Sequence, residues 1–274
     1  MLKLSPSRIA LCFFGITRAL ALTHRSIEEN LIHPARTGDE VRLFGHFFRQ
    51  SAIMNPRSGE NSIHDPDNYK LLELDWVKLE EPDTFIDHSW FSKIKSFGDE
   101  YDDDFRSIRN LVHQLHSLRK VSSAALSWGA HIYIFARPDI LYHDSFDKVL
   151  SEASRATDDC IFIPNWANWG PGYNDRFCVC VGDRAARAYA ERLRHVESFC
   201  ADKGKLHAEK LLKYSVDRSG VNVSHFRVCG SRVRSNGNIV KENFDDFRLV
   251  RFKQRLRLPQ RLIGRALSRL SSRN

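Results

Sequence analysis

The chain has 274 residues, 42% of them hydrophobic and 11% aromatic, which is enough for one large α/β domain or two small ones and excludes a disordered chain. Its formal charge of +8 is concentrated at one end: Arg248, Arg251, Lys253, Arg255, Arg257, Arg261, Arg265, Arg269 and Arg273 have no acid among them, leaving residues 1–247 at a formal −1. A near-neutral body argues against a nucleic-acid-binding domain, and six cysteines without a C-x-x-C pair argue against zinc-site and disulfide scaffolds, pointing to reduced, mostly buried thiols in a cytosolic protein.

Residues 9–14, Ile-Ala-Leu-Cys-Phe-Phe, read as a fully buried first strand. Lys3, Arg8 and Ala19-Leu-Ala21 imitate a signal peptide around this run, but Arg18 interrupts it, and no other stretch approaches the ~20 apolar residues of a membrane helix. Gly15-Ile-Thr-Arg18 then turns into a helix over 19–31. Strand, glycine, helix is a common way to approach a phosphate, with Arg18 as a bidentate donor, although many such turns carry glycine for steric reasons alone. Residues 40–48 form a second strand containing His46, and the polar, Pro/Gly-bearing composition of 49–68 suggests an insertion loop.

A short strand is expected within 70–90. Asp99 to Asp104 holds five acids in six positions and reads as a solvated helix start. The clearest helix covers 105–128, where Phe105, Ile108, Val112, Leu115, Leu118, Val121 and Ala125 recur at three- and four-residue steps and Gly129 stops it. His113 and His116 lie on that helix, three apart, either facing a pocket or serving a structural role.

The β-favouring run Ile132-Tyr-Ile-Phe135 stops at Arg137-Pro-Asp139, which delivers a charged pair to a strand end. In ligand-binding α/β sheets the crevice lies there, though an ordinary ion pair closing a strand has the same pattern. A helix over 146–156 and a strand over 159–163 follow. The loop 164–177 carries Trp166, Trp169, two glycines, two prolines and three asparagines, a composition suited either to stacking on sugars and bases or to packing its aromatics inward. A strand over 177–181, a helix over 183–195, a helix over 207–214 that places Glu209 in its first turn, a strand over 221–228 and turns over 230–238 complete the body.

Taken in order, Gly15-x-x-Arg18, the Gln114-Leu-His-Ser-Leu-Arg119 helix, Arg137-Pro-Asp139-x-x-Tyr142, Pro164-Asn165 with Gly172-Tyr-Asn-Asp-Arg-Phe177, and Ala208-Glu-Lys210 resemble bacterial GT-A-like glycosyltransferases of surface-polysaccharide and lipopolysaccharide assembly, over roughly residues 8–230. The resemblance implies a single α/β nucleotide-sugar-binding domain over 1–247 with a central, mainly parallel (mixed) sheet flanked by helices. It implies donor contacts from Gly15, Arg18, Arg137 and Asp139, and a divalent cation (Mn²⁺ or Mg²⁺) anchored by Asp139. It also implies sugar or acceptor contacts from Asn174 and Arg176, to which the loop's composition adds Trp166 and Trp169; Asp175 is the first candidate for the base and Glu209 the second, since both follow loops expected to open on the same crevice. Arg137 stands where this fold usually has the first of two aspartates, and a cation there could itself neutralise a diphosphate.

The implied partners are a nucleotide-diphosphate sugar and a glycan or lipid-linked acceptor. Over 248–274, Leu262, Ile263, Ala266, Leu267 and Leu270 can share one helix face beside Arg261, Arg265 and Arg269. That pattern fits a helix lying on anionic lipid through 251–274, and so a peripheral place on the inner face of the cytoplasmic membrane. It also fits a helix docked on the body or a disordered basic end. Two other readings compete with the transferase: a catalytically inactive GT-A-like protein that binds glycan or a partner, motivated by the missing first aspartate, and a nucleic-acid-binding protein, motivated by the arginine tail.

Overall fold

The computed structural model describes residues 8–37, 40–55, 59–168 and 171–246. The tail over 248–274, with its expected amphipathic helix, lies outside the described residues. Within them, no helix is long and apolar enough to cross a membrane.

The molecule is built on a seven-stranded sheet. Its strands are β1 (Arg8–Gly15), β2 (Glu40–Phe48), β5 (Trp76–Glu80), β6 (Ile132–Ala136), β8 (Cys160–Pro164), β9 (Cys178–Val181) and β10 (Asn222–Phe226), in the order β10-β8-β9-β6-β1-β2-β5. All neighbours run parallel except β9, which is antiparallel to β6 and to β8. The α/β, mainly parallel expectation is therefore correct.

The apolar runs of β1 and β6 are continuous because both faces are covered. Ile9, Leu11 and Phe13 join Ile132 and Ile134 on one face, under α1 (Leu20–Ile27) and α5 (Asp147–Ala153). Ala10, Cys12 and Phe14 join Tyr133 and Phe135 on the other, under α4 (Arg106–Trp128), α6 (Asp183–Ala190) and α8 (Ala208–Ser219). α1 continues through a π turn, Glu28–Ile32, into α2 (His33–Ala35). A third apolar cluster joins α3 (His88–Lys95), the first half of α4, α7 (Val196–Lys203) and the start of α8.

Three expectations need correction. Residues 49–68 contain an antiparallel hairpin, β3 (Ala52–Asn55) and β4 (Glu60–Ile63), anchored by Glu60, whose side chain is fully buried beneath Ser235, Arg234 and Arg18. Residues 230–238 begin with β11 (Gly230–Arg232), paired antiparallel to β7 (Ile140–Tyr142), so the chain after β10 returns to the cleft. The acidic run precedes the first turn of α4 and stays outside it. Asp99 folds back to accept the N–H groups of Tyr101, Asp103 and Phe105, and Asp103 accepts that of Ser107, so these carboxylates shape and cap an irregular segment.

A candidate active-site cleft at the sheet's switch point

After β1 the chain builds the sheet outward through β2 and β5, then returns to place β6 on the other side of β1. The loops leaving β1 and β6 consequently diverge, and a crevice opens between them at the strands' carboxyl ends. A cleft of about 850 Å³ occupies this place. Its lining includes Gly15, Arg18, Arg137, Asp139, Asp175, Arg176 and Glu209, seven of the ten residues singled out from the sequence. Gly15 holds φ at +102° and gives its N–H to Ser117 Oγ at 2.8 Å, which pins the first loop to α4.

On the floor, two arginines converge on one carboxylate. Arg137 forks onto Asp139 (Nε to Oδ1, 2.9 Å; Nη2 to Oδ2, 2.7 Å) and donates its Nη1 to Gln114. Arg18 adds a third bond, from Nη2 to Oδ2 at 2.6 Å, and also reaches Glu60. Burial opposes ionisation of Asp139, but the charges and hydrogen bonds of Arg137 and Arg18 prevail and hold its carboxyl far below the usual range. Arg234 shares Glu60 with Arg18, and Arg232 shares Glu242 with Arg176, so the cleft carries a network of guanidinium groups with buried counter-ions.

This arrangement does not fit Asp139 as a divalent-metal anchor. Its carboxylate is 4% exposed and accepts three guanidinium hydrogen bonds, and it belongs to no metal-competent group of His, Cys, Asp and Glu side chains among the described residues. A group that could hold a metal ion lies elsewhere: His46, Glu80 and His116 offer one ligand atom each, all within 4.8 Å of one another.

The same cleft lining brings together Asp175 and Glu209. Asp175 sits on the loop between β8 and β9, with fully buried Arg192 behind it, Nη2 to Oδ2 being 3.9 Å. Glu209 stands in the first turn of α8. Burial and the neighbouring Asp175 push its carboxyl up to about 7 from an ordinary 4.5. His207 Nδ1 lies 3.2 Å from Glu209 Oε2, and burial lowers the imidazole's pKa. The loop is held against the helix by close backbone approach. Tyr173 N–H bonds Glu209 O at 3.0 Å, and a Cβ on Gly172 would lie 2.5 Å from the Glu209 carbonyl carbon.

Trp166 is corrected: it is fully buried, donates Nε1–H to Val228 O at 2.7 Å and stacks under Arg176, leaving no face for a sugar ring. Asn174 is corrected likewise. Its side chain is fully buried as a brace inside the loop, donating to Trp166 O and accepting from Arg176 N–H. Trp169 lies outside the described residues. Arg176 lines the cleft while 4% exposed, with Nε and Nη1 lacking hydrogen-bond partners. Such a buried, under-satisfied cation suits an anionic or hydroxyl-rich ligand.

Sequence reasoning missed Arg232, Arg234, Glu60 and Glu242. Arg232 ends β11 and Arg234 follows two residues later, and that i, i+2 spacing of two arginines was the available signal. The two glutamates had none, because each is shared with a partner far away in the chain, as in the Arg176–Glu242 pair at |i−j| = 66 and the Ser235–Glu60 pair at 175.

No protein-family model and no curated protein matches the chain. Among solved structures it is similar to a protein assigned as a nucleotide-diphospho-sugar transferase from Desulfovibrio desulfuricans G20 (8% identity, 81% of this chain and 80% of that one, TM-score 0.43). It is also similar to one assigned as a glucose-1-phosphate thymidylyltransferase from Bacillus anthracis in complex with a sucrose (7% identity, 82% and 89%, TM-score 0.39). At these values the likeness adds nothing to what the sheet order and the cleft establish by themselves.

Proposed function

We propose that the chain is a glycosyltransferase of GT-A-like architecture that moves a sugar from a nucleotide-diphosphate donor to a glycan or lipid-linked acceptor, in the chemistry of bacterial surface-polysaccharide assembly. The observation that carries this reading is the convergence of Arg18 and Arg137 on Asp139 at the switch point, in the same cleft as the Asp175/Glu209 pair. Glycosyl transfer needs a stabilised diphosphate leaving group and a group to take the acceptor's proton. A guanidinium has five N–H donors; Arg18 uses two on Glu60 and Asp139, so others remain for phosphate oxygens. Cationic stabilisation by arginine then does the work expected of a metal at Asp139.

Glu209 is the group suited to accept the acceptor's proton, because its affinity for a proton is raised to the neutral range by burial and by Asp175. Asp175 maintains that affinity and positions the acceptor hydroxyl. The turnover rate therefore rises with pH through about 7 as Glu209 ionises. In Glu209→Gln the rate falls by a factor on the order of 10² to 10⁴ and the rise disappears, as a pH profile of transfer or donor hydrolysis measures. An unaltered profile in the variant removes Glu209 from the reaction.

One observation favours a second reading, a GT-A-like binding protein without turnover: both arginines are already engaged by Asp139. Donor binding without hydrolysis or transfer to any offered glycan, at every pH tested, would select it.

A further inference from the structure

Behind the cleft, where β2, β5 and α4 meet, His46, Glu80 and His116 form a cluster that neither the fold nor the proposed reaction requires. Ser117 fixes the tautomer of His46. Its hydroxyl donates to His46 O at 2.6 Å and accepts Gly15 N–H at 2.8 Å, so its remaining lone pair faces His46 Nδ1 at 3.0 Å. A hydroxyl has one hydrogen and two lone pairs, so the imidazole must supply the hydrogen of this third bond from Nδ1. In a neutral ring that leaves Nε2 as a bare lone pair.

His46 is fully buried, its Nε2 has no hydrogen-bond partner, and it is aimed at Glu80 Oε1, another lone-pair bearer, 3.5 Å away. Two acceptors facing each other inside a protein are mutually repulsive unless a positive centre lies between them. His116, 4% exposed, supplies the third side, with Nε2 2.7 Å from Glu80 Oε2 and its ring stacked on Phe85 at 3.6 Å.

We propose that His46, Glu80 and His116 form a binding site for one divalent transition-metal ion of the zinc class, set behind the cleft wall and apart from Asp139. Two imidazoles and one carboxylate select such an ion over Mg²⁺ or Ca²⁺, which prefer all-oxygen shells. Bonds of about 2.0–2.2 Å in a tetrahedral shell place ligand atoms roughly 3.3 Å apart, close to the His46–Glu80 separation and requiring the His116–Glu80 contact to open slightly. The hydrogen bond from His46 Nδ1 to Ser117 is the outer-shell contact that orients a ligating histidine.

Glu80 is 15% exposed and also meets Lys78 at 3.0 Å and Lys120 at 3.7 Å; these half-exposed ammonium groups give way on the side from which the ion and its water ligand enter. The ion ties two strands to the long helix whose Ser117 pins the first loop. Its role is to hold the wall of the cleft, and it takes no part in proton or phosphate chemistry.

The test is a Co²⁺ titration of the full chain freed of metal by chelator dialysis, read by visible absorption and followed by displacement with Zn²⁺. The proposal predicts one equivalent of bound Co²⁺ with the intense absorption of a four-coordinate site. Glu80→Gln and His116→Gln each weaken binding at least tenfold, whereas His88→Gln on the exposed surface of α3 retains it. Each variant is first checked for a cooperative urea transition, and two ligand variants keep the test usable if one fails to fold. No uptake by folded wild-type protein overturns the proposal, and so does uptake that both substitutions leave unchanged, since the ion would then sit on other histidines.

Discussion

Asp139 and Glu209 line the same cleft, yet guanidinium groups hold the first carboxyl ionised while burial and Asp175 push the second toward its neutral form. The difference lies in the partners, three charged hydrogen bonds at Asp139 against a neighbouring acid at Glu209. It has a sign in the stability of the protein. A carboxyl whose folded pKa is about 7 against an ordinary 4.5 binds its proton more tightly when folded, so between those values the folded state loses stability as pH rises. The loss amounts to about 3 kcal/mol once pH exceeds the folded pKa. Glu209→Gln removes it: urea denaturation across pH 4 to 8 is expected to show a variant about 3 kcal/mol more stable than wild type at the alkaline end and equal to it at the acid end. Asp139 contributes the opposite slope from about pH 5 downward, and does so equally in wild type and variant.

At the scale of elements, the strands and the long helix were legible because both faces of the sheet are covered and one face of α4 is apolar; periodicity reports that directly. β1, β2, β6 and α4 fall where their patterns place them. The hairpin β3–β4 was not legible, since its strands are short and partly exposed and its anchor, Glu60, is a charge buried by partners from both sequence ends of the cleft. The loop over 164–177 shows a different limit. Its composition announced a shaped loop but left open which way the tryptophan faces, and the backbone carbonyl of Val228, distant in sequence, draws Trp166 inward. What the loop does contribute is position: Gly172 lets it lie against α8 so that Asp175 meets Glu209. Gly172→Ala forces the two apart, because its Cβ would lie 2.5 Å from the Glu209 carbonyl carbon. Urea denaturation is expected to show a loss of about 1–3 kcal/mol, with the pH slope assigned to Glu209 reduced as Asp175 withdraws; an unchanged slope would place the source of the Glu209 shift elsewhere.

For the molecule as a whole, the charge is divided between a near-neutral body and a strongly basic end. A cleft rich in arginine within that body is thus a local feature, built by pairing each cation with a buried acid, and does not reflect a basic surface field. The basic end is proposed to carry the protein to anionic lipid. Deleting residues 251–274 is then expected to abolish co-sedimentation with vesicles containing phosphatidylserine while leaving the urea midpoint of the body unchanged; co-sedimentation that survives the deletion places the lipid contact on the body.

The central claim is that the switch-point cleft binds a nucleotide-diphosphate sugar through arginine and without a divalent ion at Asp139. The most direct measurement is calorimetric titration of a panel of nucleotide-diphosphate sugars into wild type, Arg18→Gln and Arg137→Gln, in buffer free of Mg²⁺ and Mn²⁺ and again with Mn²⁺ added. The account predicts at least one donor that binds the wild type equally in both buffers, with affinity reduced tenfold or more in each variant. Binding that appears only with Mn²⁺, or that ignores both substitutions, would contradict it.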